Sequence, residues 1–281
     1  MLTFVNVLVN TKQFHEITAL PNVFLGSLDY PHARTRITDL EDEKAWEEGR
    51  IGINRLEQLS WKQGLDLYSC TECGRCHDVC PTYVTGKPLT LKRFNQSLLK
   101  HLREEEGHLF RKGETSGGKI LVGDVIHPET LWACTTCRAC EEACPVSIEH
   151  VPRILGMRMG QTMMEEAYPP EISSTFKGLE RNFNPWGIGF DQRAEWASGL
   201  EIPLMSETKA SDIEFLLWAG CAGAFDSRNQ KVTRAISKLL KKAGVRFAIL
   251  GSEEKCTGDL ARRSGNEMLF QMLAEENVKT L

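Results

Sequence analysis

Cys70-Thr71-Glu72-Cys73-Gly74-Arg75-Cys76-His77-Asp78-Val79-Cys80-Pro81 decides how this chain is read, because it has a second copy. That copy is Cys134-Thr135-Thr136-Cys137-Arg138-Ala139-Cys140-Glu141-Glu142-Ala143-Cys144-Pro145. Both runs spell C-x2-C-x2-C-x3-C-P, the spacing of [4Fe–4S] ligands. Three sulfurs this close in sequence wrap one side of a cubane. The fourth lies too far along the turn to close the same cluster and is handed to the other one. The expected ligand sets are therefore Cys70, Cys73, Cys76 and Cys144 for one cluster, and Cys134, Cys137, Cys140 and Cys80 for the second. Such crossing ties two distant stretches into one unit.

Two other uses of cysteine compete with this one. A pair of four-cysteine zinc sites would make the domain a stapled, non-redox scaffold, but zinc ligands usually come as cysteine pairs a dozen or more residues apart. A disulfide framework suits short secreted chains. This one shows no signal peptide and clusters its cysteines like ligands, which fits a reducing compartment.

Working outward, the chain has 281 residues, 41% of them hydrophobic, enough for one to three cored domains. Its formal net charge is −4 before any cluster is counted. Each oxidised cluster with its thiolates adds roughly two more negative charges, which argues against nucleic acid as a partner. No stretch approaches the ~18 apolar residues of a spanning helix, so a cytoplasmic chain is expected, or one peripheral at the inner face of the cell membrane.

Residues 1–30 open with an apolar stretch, Met1 to Asn10, then Lys12 to Asn22. A docking strand and the end of a membrane-domain helix both fit this composition. Residues 31–60 are a polar connecting segment, with Thr38-Asp39-Leu40-Glu41 resembling a helix N-terminal capping signature. Residues 61–170 hold both cysteine runs. Between them Leu89, Leu91, Phe94, Leu98, Leu99 and Leu102 predict an amphipathic helix over 89–105, ended by Glu104-Glu105-Glu106-Gly107. Gly113 to Ile120 nearly spells a phosphate-binding loop, but Ile120 stands where Ser or Thr is required, so a solvated loop is the reading. Helical periodicity resumes over 148–166, where the methionines fill core gaps. Residues 171–208 form an ordered linker whose Trp186 and Trp196 must bury.

In residues 209–281 the pattern changes. Glu214 to Gly220 and Val245 to Leu250 read as strands, Arg228 to Ala243 and Leu260 to Glu276 as helices, and Gly220-Cys221-Ala222-Gly223 as a tight turn. Strand, helix, strand, helix implies a parallel sheet. Cys221 and Cys256 then fall just past the strands' carboxyl ends, where open α/β sheets bind ligands. As isolated cysteines they could equally be small buried hydrophobes. The fold class expected is α + α/β: an α-helical ferredoxin domain with two [4Fe–4S] clusters, then an incomplete parallel βαβα domain.

On these residues the chain resembles the heterodisulfide reductase D-type iron–sulfur subunits, with the glycolate oxidase iron–sulfur subunit as a relative. The paired cysteine runs carry the likeness, together with Gly220-Cys221-Ala222-Gly223 and Lys255-Cys256-Thr257-Gly258-Asp259. In that family the second domain carries C…CCG…CxxC motifs that can bind a noncubane [4Fe–4S] cluster. Here Cys221 and Cys256 match the first two positions, Thr257 replaces the second cysteine of CCG, and no CxxC follows. A third cluster is therefore not expected from this chain alone; a truncated or split member, or one completed by a partner, is. Lys12 to Asn22 resembles the segment joining a membrane cytochrome-b-like domain to such iron–sulfur domains, with His15 at a haem-ligand position. The resemblance implies an electron-transfer subunit between a flavoprotein donor and a membrane haem or quinone acceptor, the flavin or haem belonging to partner chains. A thiol–disulfide reductase subunit acting through Cys221 and Cys256 is the alternative that it implies.

Overall fold

The computed structural model describes residues 11–26, 40–112 and 118–281, with the side chains of Lys12 and Lys112 excepted. The apolar stretch 1–10, Thr38 and Asp39 of the capping signature, and Gly113 to Ser116 and Gly117 of the loop before Gly118 lie outside them. The chain divides into two compact units. One comprises the chain up to Tyr168 with Arg263–Gly265, the other Pro169–Arg262 with Asn266–Leu281.

The first unit is helical. Its described α-helices are α1 (His15–Phe24), α2 (Glu43–Glu47), α3 (Trp61–Ser69), α4 (Arg75–Asp78), α5 (Pro81–Val84), α6 (Leu91–Lys112), α7 (Pro128–Trp132), α8 (Ala139–Glu142) and α9 (His150–Met163). Asp42, whose carboxylate accepts the Lys44 N–H, caps α2. Ser60 and Gln63 form a reciprocal capping box on α3.

Helix α6 runs past the acidic stretch expected to end it. Gly107 sits inside it, and Leu109 still packs on the core, so apolar contact carries the helix beyond the glycine. That core gathers Leu67, Leu89, Phe94, Leu98, Leu121, Leu131 and Ile154 around Cys80 and Cys140. On α9, Gly160 admits a close neighbour: a Cβ there would stand 2.3 Å from Asn54 Oδ1. The Ile53 N–H reaches the Gly156 carbonyl at 2.8 Å along the same face. Helix α1 is anchored by Asn22, whose Nδ2 donates to Asp66 Oδ1 at 3.0 Å and to the Val146 carbonyl at 2.8 Å. His15, at its first position, is half-buried.

The second unit contains α10 (Pro170–Asn182), β1 (Phe215–Leu216), α11 (Gly220–Phe225), α12 (Ser227–Lys242), β2 (Phe247–Ala248), α13 (Asp259–Arg263) and α14 (Glu267–Thr280). β1 and β2 pair in parallel, Phe215 opposite Phe247 and Leu216 opposite Ala248. The strands are much shorter than the apolar runs that predicted them. β2 continues instead into an isolated parallel bridge between Ile249 and Leu204. The Gly220–Gly223 turn is the start of α11. The helix expected over 260–276 is two helices, broken where Gly265 takes φ +82°, a conformation open to glycine. Residues read as a linker build α10 and a 3₁₀ segment, Phe190–Ala197, inside this unit. Trp196 is buried in its core, while Trp186 is half exposed.

Candidate iron–sulfur centre and a buried thiol pair

The two cysteine runs fold into matching loops. Glu72 and Thr136, each before the second cysteine of its run, take φ of 56°. Gly74 and Arg138, each after it, take φ of 88° and 63°. Left-handed backbone at non-glycine residues is uncommon and strained. Here it turns the chain so that the next cysteines open short helices, Cys76 on α4 and Cys140 on α8.

One hollow is lined by Cys70, Cys73, Cys76 and Cys144, with Ile148 and His150 beside them. Cys144 thus joins the first run's trio. Burial and the neighbouring sulfurs of Cys70, Cys144 and Cys73 push the Cys76 thiol up to about 11. Cys134 is raised by burial, with Cys80 and Cys137 among the charges that add to it and the Thr136 N–H opposing. Burial also raises Cys140, which senses Glu141, Cys134, Cys137 and Cys76. The two groups of sulfurs therefore adjoin, through Cys76 and Cys140.

Donors face the sulfurs. The Thr136 N–H points at Cys134 Sγ, and the Ile148 N–H at Cys144 Sγ, each with N···S of 3.4 Å. Asn95 lies near Cys70, its buried Nδ2 without a hydrogen-bond partner among the described residues. Arg153 is fully buried, and its Nη2 donates to Asn95 Oδ1 at 2.7 Å. Its Nε and Nη1 have no hydrogen-bond partner among the described residues. Burial lowers this guanidinium, against the pull of Asp66, Cys70, Cys140 and Glu141. His150, packed 3.4 Å from it, is held neutral: burial and then Arg153 pull its pKa down to about 3.

This donor set fits an iron–sulfur cluster. Crowded thiols that hold their protons tightly when bare become thiolates on binding metal, and orphaned N–H groups beside them can bond cluster sulfur. Cys73 and Cys137 are exposed, whereas Cys80 and Cys140 are buried.

In the second unit Cys221, on α11, and Cys256 are brought together, their side chains hydrogen-bonded to each other. Sequence reasoning missed what surrounds them. Arg193, 2% exposed, places Nη1 and Nη2 each 3.5 Å from Cys221 Sγ. Its Nη2 also meets Glu254 Oε1 at 2.7 Å. Glu254 in turn accepts the Ala219 and Gly220 N–H groups at 3.0 and 2.8 Å. The Phe183 carbonyl accepts the Cys256 N–H at 3.0 Å. An arginine and a glutamate 61 residues apart carry no spacing signal. Only burial of two opposite charges marks them.

Comparison with known proteins follows this division. Residues 66–148 match the 4Fe-4S dicluster domain family, and residues 215–281 match the Cysteine-rich domain family. These define the class as a chain that joins a 4Fe-4S dicluster domain to a cysteine-rich domain. The chain is similar to the heterodisulfide reductase D-type iron–sulfur proteins in carrying both domains. It is 37% identical to the EtfAB:quinone oxidoreductase of Syntrophomonas wolfei subsp. wolfei, over 99% of this chain and 41% of that protein. It is 36% identical to the probable iron-sulfur-binding oxidoreductase FadF of Bacillus subtilis, over 99% of this chain and 44% of that one. It is 28% identical to the D-type subunit of the dihydromethanophenazine:CoB–CoM heterodisulfide reductase of Methanosarcina barkeri, over 80% and 54%. The chain thus spans less than half the length of the first two. No solved structure matches it. No helix among the described residues is long and apolar enough to cross a membrane.

Proposed function

We propose that the first unit relays electrons through two [4Fe–4S] clusters, one held by Cys70, Cys73, Cys76 and Cys144, the other by Cys134, Cys137, Cys140 and Cys80. The carrying observation is that Cys144 lines one hollow with the Cys70–Cys76 trio. Bound there, each cluster would take up and give up single electrons. The residues around them set the conditions. The Thr136 and Ile148 N–H groups offset negative charge on sulfur, Arg153 adds a buried cation beside Cys70 and Cys140, and the apolar core around Cys80 and Cys140 keeps water away. Exposed Cys73 and Cys137 offer a way in and a way out.

Two one-electron centres in series suit partners that exchange electrons in pairs. The donor is a flavoprotein and the acceptor a haem- or quinone-bearing membrane protein, a reading supported by the likeness to a protein named EtfAB:quinone oxidoreductase. His15 is a haem-ligand candidate toward that partner. The chain works in the cytoplasm or against the inner face of the membrane.

Anaerobic reconstitution tests this. About eight iron per chain are expected, with broad charge-transfer absorbance that bleaches on reduction. Two zinc ions and no such absorbance would falsify it.

A further inference from the structure

We infer that Arg158 is a positioning residue of the relay, gathering the loop carbonyls at Cys134 and raising the midpoint potential of the Cys134–Cys140 cluster alone. This rests on the two clusters proposed above and gives one of them a residue of its own.

Arg158 stands on α9 beyond Arg153 and is 5% exposed. Its Nη2 donates to the carbonyls of Leu131, Trp132 and Cys134 at 2.9, 3.2 and 2.6 Å. Helix α7 ends at Trp132, and the last carbonyls of a helix have no donor within it. The guanidinium supplies one and, in the same grip, holds the backbone of the first ligand. It also lies over the Trp132 ring, 5.0 Å from the centroid. Nη1 donates to the Arg263 carbonyl at 3.0 Å. Arg263, which belongs to the first unit with Ser264 and Gly265, continues the pattern: its Nη1 donates to the Thr135 carbonyl at 3.3 Å.

The result is a sorted backbone. The carbonyls of Leu131, Trp132, Cys134 and Thr135 are taken by the two arginines, while the Thr136 N–H is left to point at Cys134 Sγ. A carbonyl dipole turned toward sulfur would oppose the negative charge that a thiolate and a cluster carry; an amide N–H offsets it. The stretch before Cys70 is held by a hydroxyl instead: Ser69 Oγ is 2.7 Å from the Leu65 carbonyl and 3.0 Å from that of Thr18.

The charges divide in the same way. Arg158 senses Cys134, and Cys134 senses Arg158, whereas Arg153 senses Cys70 and Cys140, one sulfur of each set. Arg153 thus bears on both clusters and Arg158 on one. The hydrogen-bond partners of Arg158 are carbonyls rather than a carboxylate, so its full charge remains to act on an added electron. Its Nε is buried with no partner among the described residues, one more N–H left unused by the protein.

The test is a redox titration of the intact, iron-loaded chain followed by electron paramagnetic resonance, with the two signals assigned by their loss in Cys70→Ala and Cys134→Ala. Arg158→Gln keeps an N–H for a carbonyl and removes the charge. At a poise that half-reduces the Cys134–Cys140 cluster in the unaltered chain, the reduced-to-oxidised ratio of that cluster should fall about tenfold. Iron content and the ratio of the other cluster should not change. Arg158→Lys, which keeps the charge, should restore the ratio; if Arg158→Gln sheds the second cluster's iron, Arg158→Lys should hold it. An unchanged ratio in an iron-loaded Arg158→Gln protein overturns the proposal. So does an equal fall at both clusters, and so does an Arg158→Lys protein that falls as far, or sheds the same iron, as Arg158→Gln. None of these outcomes touches the relay itself. Absence of iron–sulfur absorbance from the unaltered chain would overturn the relay and this proposal together.

Discussion

Arg193 and Glu254 form a buried ion pair, Nη2 to Oε1 at 2.7 Å, with the two side chains 2% and 3% exposed. Breaking a buried pair from one side strands the other charge away from water. Glu254→Gln should therefore destabilise the second unit by about 3–5 kcal/mol, read by urea unfolding. A loss below about 1 kcal/mol, the range of an exposed pair, would show that water reaches the guanidinium.

The crossed ligand sets make a pairwise prediction. Cys144→Ala should remove the cluster of the Cys70–Cys76 trio, and Cys80→Ala that of the Cys134–Cys140 trio. Each single variant should keep about four iron per chain, and the two should differ in their electron paramagnetic resonance spectra. If the double variant Cys76→Ala/Cys80→Ala keeps about four iron, the sets are not crossed.

Arg153 lies buried within electrostatic reach of Cys70 and Cys140, one sulfur from each set. Reduction adds negative charge, which a nearby cation favours. Arg153→Met should lower both midpoint potentials in a redox titration at unchanged iron content. Arg153→Lys should lower them less. A shift confined to one cluster would place the guanidinium nearer to that one.

Asp66 is fully buried, and burial raises its carboxyl above the ordinary value, against the opposing pull of Lys62 and Arg153. A carboxyl raised in the folded state binds its proton more tightly there than when unfolded. Its contribution to stability is then complete below the unfolded value, about 3.9, and is lost as pH rises through the folded one. Carbon-13 NMR of the carboxyl should show a midpoint above about 3.9, and Asp66→Asn should flatten the fall in stability over that window. A midpoint below that value would mean that Lys62, at 2.7 Å, outweighs burial.

Much of the first unit was legible because its signals are local. Ligand spacing and the helical periodicity of Leu91 to Leu102 both act within a few residues. The end of α6 was not, since Leu109 extends it by packing on residues remote in sequence. The break before α14 was missed for a related reason: Gly265 sits against the backbone of Arg158, where a Cβ would meet the carbonyl oxygen at 2.3 Å.

By itself the sequence determined the eight cysteines of the two runs, the helical character around them and the switch to a parallel β-α pattern after residue 209. These follow from covalent spacing and from periodicity along one segment. Tertiary structure alone decided that Arg153 is buried beside Cys70 and Cys140, and that Arg193 and Glu254 close around the Cys221–Cys256 pair. Such charges meet only after distant segments have packed, and their energy comes from the water that packing removes.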